Sequence, residues 1–130
     1  MKHGKVKLVV TDLDDTLLSP EKKISAEAVR MIESLEESGV RFTFITGRPA
    51  YAISRFACQV KITAPIVSCN GAVIYDYGTG RILQDTPMRT DHLEALLCQA
   101  AEMGLTVLVY AGNVEYALAE TNWTRVRKEA

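Results

Sequence analysis

A chain of 130 residues with 48% hydrophobic side chains is long enough for a packed core and too apolar for disorder. Its 15 basic and 16 acidic residues leave a net charge of −1, and the lysines and arginines are scattered rather than clustered. That balance argues against a nucleic-acid or membrane-surface partner, and no apolar stretch is long enough to span a bilayer.

The first predicted element is a strand at residues 6–10. The run is rich in β-branched residues and reads as a buried strand of a parallel sheet. It leads into Asp12, Asp14 and Asp15. Ligands of open α/β sheets bind at the carboxyl ends of the strands, so three acids arrive where a site would form. Carboxylates this close repel one another unless a cation lies between them. Mg²⁺ takes oxygen ligands and usually also holds a phosphate. A carboxylate in such a place can act as a nucleophile and form an acyl-phosphate. Asp12 and Asp14, two apart in an extended segment, are expected on one face. Asp15 alternates away and reads as a turn residue.

Ser19-Pro20 marks a loop, and Ser25 is the expected N-cap of a helix that Ser38-Gly39 closes. Ala28, Met31, Ile32 and Leu35 form its apolar face. Residues 40–45 are the second strand. A β-α-β unit implies a right-handed crossover and a parallel pair, which brings Thr46 beside Asp12. Pro49 is placed to start a helix reaching about residue 60. Residues 62–68 lead into a third strand, followed by an Asn70-Gly71 turn. Residues 72–75 and 81–84 flank 76–80 as a hairpin. A helix is predicted at 90–103, with Leu93, Leu96, Leu97 and Ala100 on one face and Gly104 at its end. Strands at 105–110 and 113–119 surround Ala111-Gly112. The segment from Thr121 onward reads as either a short helix or a tail.

Three segments carry a family resemblance. Asp12-Leu13-Asp14-Asp15-Thr16-Leu17-Leu18 resembles the first motif of the haloacid dehalogenase-like phosphohydrolases. Phe42-Thr43-Phe44-Ile45-Thr46-Gly47-Arg48 is similar to their second motif. Ser68-Cys69-Asn70-Gly71-Ala72-Val73-Ile74 resembles the Asn-Gly-Ala segment of the Cof-type (type IIB) subfamily. The resemblance implies an α/β fold: a partial doubly wound, Rossmann-like parallel sheet in residues 1–75, followed by part of an α+β cap in residues 76–130. It also implies a Mg²⁺-dependent phosphohydrolase of small phosphorylated metabolites, sugar phosphates among them. A phosphomutase is the nearby variant. The family's third motif, a lysine, and its fourth, an acidic pair, are expected beyond residue 130.

Within that frame Asp12 is the expected nucleophile and Asp14 the general acid and base. Both are expected at the metal, Asp14 through its main-chain carbonyl. Thr46, Gly47, Arg48, Asn70 and Gly71 are the candidate phosphate-binding residues: a hydroxyl donor, close backbone approach, a cation and amide donors. The structural readings of Arg48 as a helix-start surface residue and of Asn70-Gly71 as an ordinary turn stand equally. Thr16 reads as a loop residue that satisfies backbone groups.

The alternative to an enzyme is a non-catalytic, truncated module that acts by binding or self-association. An unprotected first strand would make a homodimer through the sheet edge. Cys58, Cys69 and Cys98 form no CxxC pair, so zinc is not expected. They read as buried, reduced thiols of a cytoplasmic protein. His3, His92, the basic pair in Glu21-Lys22-Lys23 and the run Arg125-Val126-Arg127-Lys128 read as solvated surface, and Trp123 as packing.

Overall fold

The central strand is β2 (Arg41–Phe44), and its sequence explains its place. Phe42 and Phe44 lie on one face and are almost fully buried, their rings 5.6 Å apart and edge to face. Thr43 is buried on the other face, where its hydroxyl donates to the Pro65 carbonyl at 2.8 Å. A strand buried on both faces is the mark of a parallel sheet interior. In the computed structural model, which describes residues 5–125 apart from Asn113 and Trp123, β1 (Leu8–Thr11) pairs with β2 in parallel, Leu8 opposite Arg41 and Thr11 opposite Phe44. On the other side a parallel bridge joins Ile45 to Val67 of β3 (Ile66–Ser68). The fold is α/β with a parallel sheet, as expected from the sequence.

Helix α1 (Ala26–Glu37) crosses from β1 to β2. Ser25 Oγ accepts from the Ala28 amide at 3.1 Å, satisfying one orphan donor of the first turn. Gly39, at φ 75, lets the chain leave the helix. Ile32 is buried, and Ala28, Val29 and Leu35 pack against the core. Met31 belongs to the expected apolar face but is 64% exposed, and Val29 takes its place.

Beyond β3 the chain forms an antiparallel hairpin of β4 (Val73–Tyr75) and β5 (Ile82–Asp85), with β4 also paired to β3. Asp76 organises the turn by accepting from the Thr79 amide at 2.8 Å and its hydroxyl at 2.9 Å. Those bonds hold the Asp76 carboxyl below the usual range. Together these elements form one compact unit, Met1–Thr86. The second, Pro87–Ala130, contains α3 (Thr90–Glu102) and the hairpin β6 (Leu108–Ala111) and β7 (Val114–Ala117). The division falls after β5 because β5 is hydrogen-bonded to β4. In α3, Leu93 and Leu97 are half-buried and Ala100 is buried, whereas Leu96 is 50% exposed. No helix among the described residues is long and apolar enough to cross a membrane.

Three further expectations fail. First, β1 is not buried. Val9 packs on the core, but Leu8 and Val10 are 39% and 40% exposed, because among the described residues β1 pairs only with β2 and one face is uncovered. Second, the helix expected from Pro49 to about residue 60 is broken. A short 3₁₀ turn at Ala50–Ala52 is followed by a one-turn helix α2 (Ser54–Ala57). Ile53, just before α2, and Phe56 within it are buried, so core packing takes precedence over continuous helix. Third, Cys58 and Cys98 are exposed and Cys69 half-buried, all three as free thiols. His92 and Arg125 are at the surface as expected. His3, Trp123 and residues 126–128 lie outside the described residues.

Candidate active site

Parallel pairing puts the ends of β1, β2 and β3 at one edge of the sheet. The Ile45 amide donates to the Thr11 carbonyl at 2.9 Å, and the Thr46 amide to the Val67 carbonyl at 3.0 Å. Asp12 therefore follows β1 where Thr46 follows β2. Ser68 ends β3, and the Asn70 amide donates back to the Thr46 carbonyl at 3.2 Å. The Cys69 amide likewise donates to the Arg48 carbonyl at 3.1 Å.

Immediately after Asp12 the chain leaves the strand. Residues Leu13–Leu17 make one wide turn, closed by the Leu18 amide donating to the Leu13 carbonyl at 2.9 Å. Leu13 is fully buried and anchors it. The Asp12 carboxylate accepts from the Leu13 amide at 2.6 Å. Asp14 is extended and Asp15 left-handed, at φ 57. Asp14 thus reaches its position by a turn rather than by strand alternation. Asp15 is the expected turn residue: its carboxylate is 95% exposed.

Asp14 and Arg48 make the strongest polar contact of the site. Arg48 Nε donates to Asp14 Oδ2 at 2.6 Å and Nη2 to Oδ1 at 2.8 Å, a two-pronged pair. The guanidinium also lies 5.0 Å from the centre of the Phe56 ring, a cation–π contact that orients it. Lys22 Nζ donates to the same Oδ1 at 2.8 Å. The Arg48 bonds, with Lys22 adding to them against the opposing effect of partial burial, hold the Asp14 carboxyl well below the usual carboxylate range. Asp14 is an ionised acceptor while these contacts last. To give a proton to a leaving group it must first be released from both cations.

Thr46 is buried, and its hydroxyl accepts from the Arg48 amide at 3.2 Å while keeping its own proton to donate. Gly47 is needed for space: a Cβ there would meet Asn70 Oδ1 at 2.9 Å. Asn70 itself is left-handed, φ 54, and Gly71 follows at φ 96. The expected residues Asp12, Asp14, Thr46, Gly47, Arg48, Asn70 and Gly71 all fall on the loops at this one edge.

Lys22 is the residue that sequence reasoning missed. Read as solvated surface, it sits in a hydrogen-bonded turn that returns toward the acidic loop through the Leu18–Ile24 bridge. The available signal was the turn after Ser19-Pro20, which limits how far the chain can travel before α1.

Among the described residues no cluster of three or more His, Cys, Asp or Glu side chains could hold a metal. The oxygen donors at the strand end have the hard character that Mg²⁺ takes, and that ion keeps several waters when protein ligands are few. The Asp14 carboxylate is committed to Arg48 and Lys22 and the Asp15 carboxylate is turned to solvent, so the Asp12 carboxylate and the main-chain carbonyls of the turn are what the loop offers at the strand end.

Comparison with known proteins gives a consistent result. The family profile of haloacid dehalogenase-like hydrolases matches residues 9–130. The pyridoxal phosphate phosphatase YbhA of Escherichia coli is 27% identical over 126 residues, covering 92% of this chain and 46% of that protein. The 5-amino-6-(5-phospho-D-ribitylamino)uracil phosphatase YitU of Bacillus subtilis is 36% identical over 84 residues, 62% of this chain and 31% of that one. A haloacid dehalogenase-like hydrolase from Bacteroides thetaiotaomicron superposes with a TM-score of 0.80 at 28% identity, covering 96% of this chain and 48% of its own. The chain spans less than half the length of these proteins.

Proposed function

The chain belongs to the haloacid dehalogenase-like hydrolases, of the Cof type, and from that premise we propose that it carries the nucleophile of a Mg²⁺-dependent phosphohydrolase acting on small phosphorylated metabolites. The observation that supports this most is the convergence of Asp12, Thr46 and Asn70 after three adjacent strands. Relatives named for phosphatase action on pyridoxal phosphate and on a phosphoribityl compound support a small phosphate monoester. A sugar phosphate fits the same chemistry. The reading places the protein in the cytoplasm, where free thiols such as Cys58 and Cys98 are ordinary.

In this reading an Asp12 carboxylate oxygen attacks phosphorus in line, and the bond from phosphorus to the ester oxygen breaks. Asp14 gives the leaving oxygen a proton. Water then attacks the aspartyl-phosphate, Asp14 accepts its proton, and inorganic phosphate leaves with Asp12 restored. Thr46 and the Asn70 side chain donate to phosphate oxygens, and Gly47 leaves room for Asn70. Asp12 and the Asp14 carbonyl would hold Mg²⁺, which supplies positive charge between two anions.

The test is phosphate release from an aryl phosphate with Mg²⁺, for wild type and Asp12→Asn. Release from this chain, which spans less than half the length of the phosphatases it resembles, should be slow, well under the roughly 1 s⁻¹ of ordinary enzymes. It should vanish in the variant. Release that persists in Asp12→Asn refutes the assignment. A second reading, a non-catalytic module that binds or self-associates, is favoured by the half-exposed edge of β1. It predicts no release from either protein.

A further inference from the structure

We propose that Lys22 is an anion-binding residue of this site, and that together with Arg48 it transfers from Asp14 to the phosphate of an arriving ester. The inference rests on the phosphohydrolase reading above and adds a residue and a switching step to it.

Lys22 is held where it is by the backbone. Its amide donates to the Ser19 carbonyl at 2.8 Å, the Ser19 amide donates to the Lys23 carbonyl at 2.9 Å, and Leu18 bridges to Ile24. Within this turn Lys22 is left-handed, φ 57, a region that a residue with a long side chain seldom occupies. The result is a side chain aimed back over the acidic loop. Its Nζ lies 2.8 Å from Asp14 Oδ1 and 3.9 Å from Asp15 Oδ1.

Stability does not account for this placement. Asp14 is already paired in two-pronged fashion by Arg48. A further lysine with a 43% exposed side chain adds little to an ion pair that water can screen. Recognition accounts for it better. Lys22 Nζ and Arg48 Nη2 converge on one oxygen, each at 2.8 Å. Two cations on one anionic oxygen is the arrangement that a phosphate oxygen accepts, and the Asp14 carboxylate stands in for it. A phosphate offers more anionic oxygens and more charge than a carboxylate, so it competes for both cations.

Exchange would also time the chemistry. With both cations on Asp14, its two oxygens are occupied as acceptors. When the phosphate takes the cations, Asp14 is left beside the ester oxygen with its hydrogen-bonding capacity open. Three carboxylates within four residues would repel an arriving dianion, and Lys22 and Arg48 are the cations bonded to that loop among the described contacts.

The experiment measures inorganic phosphate binding to the full chain by calorimetry in Mg²⁺-containing buffer. The proteins are wild type, Lys22→Met, Lys22→Arg and Asp14→Asn, with Asp12→Ala and Thr46→Val as controls. Lys22→Met should weaken phosphate about tenfold, the size of one charge-assisted hydrogen bond, and Lys22→Arg should recover most of it. Asp14→Asn removes the internal competitor and should tighten phosphate relative to wild type. Lys22→Met in that background should still weaken it. Phosphate affinity that is unchanged by Lys22→Met in both backgrounds, with only the unfolding midpoint altered, makes Lys22 a turn residue and overturns the proposal while leaving the phosphatase reading intact. Phosphate that binds neither wild type nor Asp14→Asn, or binds without regard to Asp12 and Thr46, overturns the site itself and the proposal with it.

Discussion

The carboxamide of Asn70 lies against the backbone of Gly47, so closely that a Cβ built on the glycine would meet Asn70 Oδ1 at 2.9 Å. The contact ties the loop after β3 to the loop after β2. It also means that Gly47 is small for the sake of a neighbour, not for its own backbone, since no positive φ is involved.

Gly47→Ala is therefore expected to push the Asn70 side chain aside. Because that side chain is the end of a short flexible group, unfolding free energy should fall by less than about 1 kcal/mol. Phosphate affinity should fall more than stability suggests. In a double-mutant cycle with Asn70→Gly, which suits the left-handed position, the two losses should not add. Additive losses, measured by calorimetry and urea unfolding, would separate the two residues.

Mg²⁺ binding should be weak and should depend on Asp12. The carboxylate of Asp14 is engaged by Arg48 and Lys22, and few protein oxygens remain. Titration followed by NMR should show shifts centred on the Leu13–Leu17 turn, lost in Asp12→Asn. Tight binding indifferent to that substitution would move the metal elsewhere.

Tyr75 provides a pH-dependent prediction away from the site. Its hydroxyl is buried with no hydrogen-bond partner among the described residues. Burial, with the neighbouring Tyr77 adding to it, pushes its pKa up to about 12. A raised folded pKa means that the unfolded chain ionises first. Stability is then whole below about pH 10, the unperturbed tyrosine value, and declines as pH rises toward 12. Tyr75→Phe removes an unsatisfied polar group and should be neutral or stabilising by about 1 kcal/mol at pH 7. Its advantage should widen above pH 10 in urea unfolding. A variant that loses stability at pH 7 would reveal a partner for the hydroxyl.

The half-exposed edge of β1 should make the chain self-associate. Leu8 and Val10 are exposed apolar residues on a strand whose outer backbone groups are unpaired among the described residues, and such edges add strands. Light scattering over a concentration series should show a dimer as the first closed species. Leu8→Lys combined with Val10→Lys should return the chain to monomer. A monomer at every concentration in the unsubstituted protein would leave the edge without this role.

Local chemistry determined much of this protein. Ser25 and Gly39 bound α1 because a side-chain cap and a left-handed exit depend only on neighbouring residues. The acids after β1 and the Thr46-Gly47-Arg48 segment after β2 could be read as one site because a parallel β-α-β unit leaves its strand ends side by side. Tertiary structure decided what pattern could not. Apolar alternation does not say how many neighbours a strand has, so β1 reads as buried although one face is open. The break at Ala50–Ala52 follows from seating Ile53 and Phe56 in a core contributed by distant strands. The pairing of Asp14 with Arg48 and Lys22 depends on where two turns bring long side chains in space. Spacing along the chain carries no record of that, because the energy of an ion pair depends on distance through space and on the water excluded around it.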